Sequence, residues 1–455
     1  MNLRYHILKW ASIASGNGVY NAYQSALAWD DLSPEEVQAK QKSSLEKLLL
    51  HAYQQVPYYK ETFQKCNIFR GPNKPHLSDF SRIPFLTKDI IREQFKNLLS
   101  SDWKERGGKP NTSGGSTGEP VRFIQDKGQR WWCVYANKLY YNHKLGKLPG
   151  ERELVLWGSD RDILRGSIGP KARLINYFYN RKFLNAYRMS PETMTNYIQQ
   201  IDKFRPISIW AYVESLELLA RFAEDRNITI TSPKLLISTA GTLYPKTREL
   251  IERVFKAPLY NQYGSREVGG IACQCQNQDQ FHLFPWSHYV EIVDEKGNVT
   301  PPGEEGEVVI TNLVNYAMPL IRYKIGDRAI QPAAPCACGR SSHTLFLITE
   351  LVSEHLIALD GTYIYGGFFR LLYYNRPWVK RFQIVQTHAD HVINKIVTSD
   401  PPQKADLNEV VVKWKKVLGE AVKIDFVFVE EILPSTSGKF LHVLNLVNNS
   451  RSINP

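Results

Sequence analysis

Long apolar runs are missing from this 455-residue chain. No stretch of about 18 apolar residues occurs, so no transmembrane segment is expected. The start, "MNLRYHILKWASIASGNG", has too short an apolar run for a signal peptide, and the expected location is cytoplasmic. Internal repeats and low-complexity segments are absent too, which excludes repeat and fibrous architectures. Neither familiar phosphate-loop signature is intact. In "TSGGSTGEP" (112–120), Glu119 follows the last glycine where a Walker A loop needs lysine, and the spacing G-x-G-x-x-G fails as well. Acidic residues are outnumbered: 45 Asp and Glu against 57 Lys and Arg leave a formal charge of +12. The basic residues are scattered rather than gathered into one run, so a basic enzyme is expected and no nucleic-acid partner. Cysteines number six. Cys66 and Cys133 stand alone, and the rest form two C-x-C pairs, Cys273/Cys275 and Cys336/Cys338. Outside a secretory context, such pairs suggest metal before disulfide.

What is present is ample material for burial. Hydrophobic residues make up 43% and aromatics 12%, and the length exceeds what one core serves, so at least two domains are expected. "SPEEVQAKQKSSLEKLLLHAYQQVPYY" opens with Ser33 as N-cap, Pro34 at the first helical position and Glu36 closing a capping box. Leu45, Leu48, Leu49, Ala52 and Val56 continue at helical spacing until Pro57. "ELVLW" (153–157), "ISIWAY" (207–212) and a strand at 235–238 read as buried strands, and the last leads through a small-residue loop to a helix at 245–255. This β-α-β pattern predicts a largely parallel sheet in an α/β fold. Residues 288–313 read as a hairpin turning at Gly297-Asn298, and after 349 two strands, a helix near 407–418 and "KIDFVFV" predict a small α+β domain.

In "TSGGSTGEP", glycines permit close backbone approach, and Ser113, Ser116 and Thr117 can donate hydroxyl hydrogen bonds to phosphate oxygens. Further on come "NQYGSREVG" (261–269), "YKIGD" (323–327) and "GKF" (438–440). This ordered set resembles the adenylate-forming superfamily. "LLHAYQQVPYYKETF" (49–63), Cys275-x6-His282 followed by "VEI", and "CACGR" (336–340) resemble its phenylacetate–CoA ligase and CapK-like capsular-polysaccharide branch.

The resemblance implies an N-terminal adenylation core over 1–348 and a small mobile C-terminal domain over 349–455. It implies that Ser113, Gly114, Gly115, Ser116, Thr117 and Gly118 hold the phosphates of ATP. Ala240 and Gly241 match the loop on the adenine, and Asn261, Tyr263 and Gly264 match a further nucleotide element. Asp327 matches the ribose-binding aspartate, Glu267 the acid that helps hold Mg2+, and Lys439 the C-terminal lysine that reaches the acyl adenylate. The implied reaction activates a small-molecule carboxylic acid with ATP and passes the acyl group to an acceptor. CoA is the first choice of acceptor; a non-CoA acceptor in surface-polysaccharide biosynthesis is the second, and an inactive nucleotide-binding scaffold a third reading from another class. Glu350-Leu351, where the family usually has Gly-Arg, favours the scaffold; Glu267, Asp327 and Lys439 oppose it. Ser353-Glu354 likewise replaces the usual acidic pair at the hinge. Trp131, Trp132, Tyr135 and Trp210 are candidates to line an aryl pocket. Cys275, His282, Cys336 and Cys338, with Cys273 as a substitute, are of the types that suit a closed, structural Zn2+ site.

Overall fold

The computed structural model describes residues 3–14, 16, 18–71, 74–113, 121–158, 174, 176–186, 188–277, 280–340, 342–348, 355–365, 369, 372–373, 376, 378–398, 400–432 and 443–447. The chain forms two compact units. One comprises Met1–Ser113, Val121–Glu151 and Tyr260–Thr349; the other includes Arg152–Leu259 and Glu350–Pro455.

In the first unit the capping box forms as the sequence predicts. The Glu36 amide donates to Ser33 Oγ at 3.3 Å, and the Ser33 amide donates to Glu36 Oε2 at 2.8 Å. The helix Pro34–Gln55 buries Val37, Leu45, Leu48, Leu49 and Ala52, and Val56 turns extended ahead of the next helix, Pro57–Lys65. This face packs on a core that includes Phe63, Phe123, Ile271, Ile310 and Tyr323. The strands His288–Val293, Glu305–Asn312, Tyr323–Ile330, Thr344–Ile348, Phe281–Leu283, Gly269–Gln274 and Leu259–Ser265 follow one another across the sheet, each antiparallel to its neighbour. Arg322 is buried at 2% exposure and ion-paired with Glu291 at 3.1 Å, and it also donates to the Ile83 carbonyl at 2.7 Å.

In the second unit the strands Leu235–Thr239, Ser208–Tyr212, Glu153–Leu156 and Arg181–Leu184 pair in parallel. The helices Pro191–Phe204, Val213–Asp225 and Pro245–Phe255 connect or flank them and bury Ile198, Leu219 and Ile251 in one core. The expected parallel pairing holds among these four strands. Parallel neighbours need a crossover, and helices supply it here; the first unit is joined largely by turns and short loops, which favour antiparallel neighbours.

The C-terminal part of the second unit has its own core. Its sheet runs Lys423–Phe428, His391–Thr398, Val379–His388, Val443–Asn445, antiparallel at the centre and parallel on both flanks. The helix Lys404–Leu418 buries Trp414, whose ring stacks on Phe369 at 4.1 Å. Among the described residues no helix is long and apolar enough to cross a membrane.

Candidate functional site

Glu267 lies at the tip of a tight hairpin in the first unit. Tyr263 pairs with Ala272, and Ser265 with Gly269, leaving Arg266–Val268 as the turn. Gly269 has φ +81, and a Cβ there would lie 2.6 Å from the Cβ of Cys133. At Gly264 a Cβ would lie 2.5 Å from the Gly269 carbonyl oxygen, so both positions require glycine for close approach.

The carbonyls of this hairpin are held by buried side chains. Gln125 Nε2 donates to the Arg266 carbonyl at 2.8 Å, and Gln129 Nε2 to the Glu267 carbonyl at 2.7 Å. His288 Nε2 lies 3.0 Å from the Val268 carbonyl, with its Nδ1 3.0 Å from Ser287 Oγ. Asn137 Nδ2 donates to the Gly270 carbonyl at 2.9 Å. Gln129, Asn137 and His288 are all fully buried. Burial pushes the His288 pKa down to about 4, so its ring is neutral and donates one hydrogen bond while accepting another. Three of these side chains come from one segment: the strand Arg122–Gln125 runs into the helical stretch that begins at Lys127 and is wound as a π-helix over Arg130–Ala136. Sequence reasoning missed all four. The available signal was polar residues at 125, 129 and 137 inside an otherwise apolar, aromatic segment.

The backbone of Glu267 is thus fixed, while its side chain is 6% exposed and pairs with no cation among the described residues. A buried carboxylate without a cationic partner is costly in a protein interior. Around it, the Tyr263 hydroxyl donates to Asp327 Oδ2 at 2.8 Å. Burial, and then the Asp327 charge, hold the Tyr263 phenol protonated far above its usual range. The Tyr323 hydroxyl is buried close enough to Glu267 for its charge to act, yet without a hydrogen bond of ordinary geometry. Asp327 owes its position to a bulge. Three residues, 325–327, oppose Val308 alone between the pairs Glu307↔Arg328 and Val309↔Lys324, and Gly326 supplies the φ of +91. Asn261 is buried; its amide donates to Gln274 Oε1 at 2.9 Å, and its carbonyl accepts from the Tyr141 hydroxyl at 3.3 Å. Ser113 is also buried, and its Oγ accepts from the Val121 amide at 2.8 Å.

In the second unit Ala240 follows the strand Leu235–Thr239 with φ +63, a left-handed conformation uncommon for alanine. At Gly241 a Cβ would run into the Glu214 carboxylate. Gly114, Gly115, Ser116, Thr117, Gly118, Glu119, Glu350-Leu351, Ser353-Glu354 and Lys439 lie outside the described residues.

A second cluster forms in the first unit. Cys275, His282, Cys336 and Cys338 offer ligand atoms that all lie within 4.8 Å of one another. Cys275 follows one strand of a hairpin and His282 sits on the other, where it faces Cys273 across the ladder; Cys336 and Cys338 come from the turn closed by Gly339 with φ +79. Cys275 Sγ lies 3.5 Å from Cys336 Sγ, and Cys338 Sγ lies 3.3 Å from His282 Nε2. Ser342 Oγ meets the other ring nitrogen at 3.0 Å and so orients the imidazole. Burial lowers the His282 pKa to about 4 and raises that of Cys275 to about 11. Cys273 is fully buried and is not a member of the cluster.

The CapK C-terminal domain family matches residues 356–446. Protein CapK of Staphylococcus aureus is 25% identical over 394 residues, which is 84% of this chain and 83% of that protein. Phenylacetate–coenzyme A ligase of Pseudomonas putida is 27% identical, covering 66% of this chain and 68% of its own length; that of Thermus thermophilus is 26% identical, covering 75% and 76%. Among solved structures, 2-hydroxyisobutyryl-CoA ligase in complex with 2-HIB-AMP and CoA in the thioesterification state has a TM-score of 0.63 at 18% identity, over 93% of this chain and 92% of that one. Its open conformation gives 0.55 over 90% and 91%. This likeness establishes the fold: α/β, with a large sheet and a small α+β C-terminal region, as in adenylate-forming CoA ligases.

Proposed function

We infer, for a chain that belongs to the adenylate-forming superfamily on the branch of CapK and the phenylacetate–CoA ligases, that it joins a carboxylic acid to CoA through an acyl adenylate. The observation that carries this reading is the buried Glu267, its backbone held and its side chain without a cationic partner among the described residues, beside the Tyr263–Asp327 pair. A carboxylate is a poor acylating agent. Its oxygen attacks the α-phosphate of ATP, pyrophosphate leaves, and the mixed anhydride then yields its acyl carbon to the CoA sulfur as AMP departs. Glu267 is the residue to hold Mg2+, which would neutralise charge building on phosphoryl oxygens. Asp327, oriented by the Tyr263 hydroxyl, accepts from the ribose hydroxyls. Ser113 through Gly118 receive the phosphates, Ala240, Gly241, Asn261 and Gly264 border the nucleotide, and Lys439 contacts the acyl phosphate. A reaction that consumes ATP and CoA belongs in the cytoplasm.

Zn2+ suits the second cluster. Three sulfurs and one neutral imidazole match its preferences, and a dication would offset the cost of burying thiolates. Four protein ligands leave no open position, so the role is structural. The deciding experiment is pyrophosphate release with ATP and a panel of carboxylic acids. At least one acid should stimulate release, and Glu267→Gln should abolish it while the fold stays near native. Release with no acid in a broad panel, from protein that binds ATP, would leave the nucleotide-binding scaffold as the better reading.

A further inference from the structure

The first unit holds a cleft of about 490 Å3 that contains none of the residues proposed to hold nucleotide or metal, although Trp131 and Trp132, two of the aryl-pocket candidates, line it. Small-molecule sites commonly fall in the range of roughly 300–1,000 Å3. Its walls carry Trp29, Trp131, Trp132 and Trp286, four of the ten tryptophans in the chain. Trp29, Trp131 and Trp132 are only partly buried; Lys40 Nζ lies 5.7 Å from the centroid of the Trp29 ring, and Gly18 packs against the Trp131 ring.

Charge in the cleft is one-sided. Lys47, Lys127 and Arg106 line it against a single acid, Asp126. Asp126 is engaged by the backbone: Oδ1 accepts from the Gln129 amide at 2.9 Å, and Oδ2 from the Tyr316 amide at 2.8 Å and the Ala317 amide at 3.3 Å. Arg106 is shared with Asp102 at 2.8 Å and lies over the Tyr316 ring at 5.2 Å. Neither the Lys47 nor the Lys127 ammonium has a carboxylate or hydrogen-bond partner among the described residues. Lys127 lies along Gly107, where a Cβ would come within 2.8 Å of its Cε. Two uncompensated cations beside apolar ring faces attract an anion more strongly than the same cations on an open polar surface, because the rings displace water from the field lines.

We propose that this cleft is a second ligand site, for an organic anion with a planar apolar body and a carboxylate or phosphate head. The body stacks on the tryptophan faces and the head lies between Lys47 and Lys127. An aryl carboxylate and a nucleoside monophosphate share this chemistry. The proposal stands apart from the adenylation reading, since it uses none of Glu267, Tyr263 or Asp327.

The tryptophans provide the readout. Intrinsic fluorescence of the full chain is titrated with phenyl phosphate, benzoate and AMP, and with phenol and inorganic phosphate as controls. Phenyl phosphate should quench saturably, while phenol, lacking the charge, and inorganic phosphate, lacking the ring, should each bind at least roughly tenfold more weakly. The relative affinity of benzoate and AMP then separates the two sources. Lys47→Ala with Lys127→Ala, both at exposed side chains, should weaken phenyl phosphate roughly tenfold. Asp327→Asn should leave that titration in place. Absence of saturable quenching overturns the proposal. So does quenching that survives the double lysine substitution unchanged, or quenching that disappears in Asp327→Asn.

Discussion

Replacing Gln129 by leucine should separate activity from stability. The side chain is fully buried, and its Nε2 holds the Glu267 carbonyl at 2.7 Å, while its Oε1 is buried without a partner. Leucine nearly conserves the volume, so the cavity term is small. Losing the bond removes about 1 kcal/mol and strands the Glu267 carbonyl at a cost of about 1–3 kcal/mol; removing the lone Oε1 returns a similar amount. The net change in stability is therefore about 1 kcal/mol, a shift of only a few degrees in Tm. Activity responds differently. With its carbonyl released, the tip of the hairpin can rotate, and a displacement of about 1 Å at a carboxylate proposed to hold Mg2+ should cost on the order of 10²-fold in rate. The assay is pyrophosphate release against Mg2+ concentration, with Tm measured alongside. The half-saturating Mg2+ should rise roughly tenfold and kcat fall roughly 10- to 100-fold. Unchanged magnesium dependence and rate would refute the reasoning, as would a rate loss fully explained by less folded protein.

Other consequences can be checked separately. Purified protein should carry about one Zn2+ per chain by metal analysis; Cys336→Ser with Cys338→Ser should release it and lower Tm, and metal-free protein with unaltered melting contradicts the site. Gly269→Ala forces a Cβ against Cys133 at φ +81 and should cost about 2–4 kcal/mol in urea unfolding; native-like stability would show that the hairpin yields. His288 has its pKa lowered from 6.5 to about 4 by burial, so between those values the unfolded chain binds a proton that the folded protein does not. Its contribution is complete above about pH 6.5 and falls by about 3 kcal/mol as the pH drops toward 4. Acid unfolding of His288→Gln should be less steep over that interval, and an identical slope would remove His288 from the account.

What was legible in the sequence is what local chemistry encodes. Ser33, Pro34 and Glu36 announce a helix start because the cap, the fixed φ and the reciprocal hydrogen bond all lie within four residues. The helix Pro245–Phe255 was equally clear. Cys275, His282, Cys336 and Cys338 were readable as metal-ligand types because sulfur and imidazole are scarce, and the family resemblance is what joined the two segments into one set. The clamp on Glu267 was not readable. Gln129 and Glu267 are 138 residues apart, and the accepting group is a backbone carbonyl, which is the same in every residue type. The Arg322–Glu291 pair was hidden for a related reason: a charge just ahead of one strand and a charge two strands away look like solvated surface until the sheet brings them together.

This difference explains how the hairpin divides its work. A carboxylate proposed to hold Mg2+ is poorly served by hydrogen bonds to its own oxygens, because each would compete with the cation for the same oxygens. Rigidity has to come from elsewhere. Here it comes from the main chain: amide and imidazole donors on the carbonyls of Arg266, Glu267, Val268 and Gly270, with glycines at 264 and 269 allowing the close approach. The side chain of Glu267 then projects from a fixed base with no cation to pair it among the described residues. A change at the carboxylate removes charge and should abolish the first half-reaction, whereas a change at any one of the four clamps leaves the charge and blurs its position. A graded loss across Gln125, Gln129, Asn137 and His288 variants, against the all-or-none loss expected for Glu267→Gln, is the signature of positioning rather than chemistry.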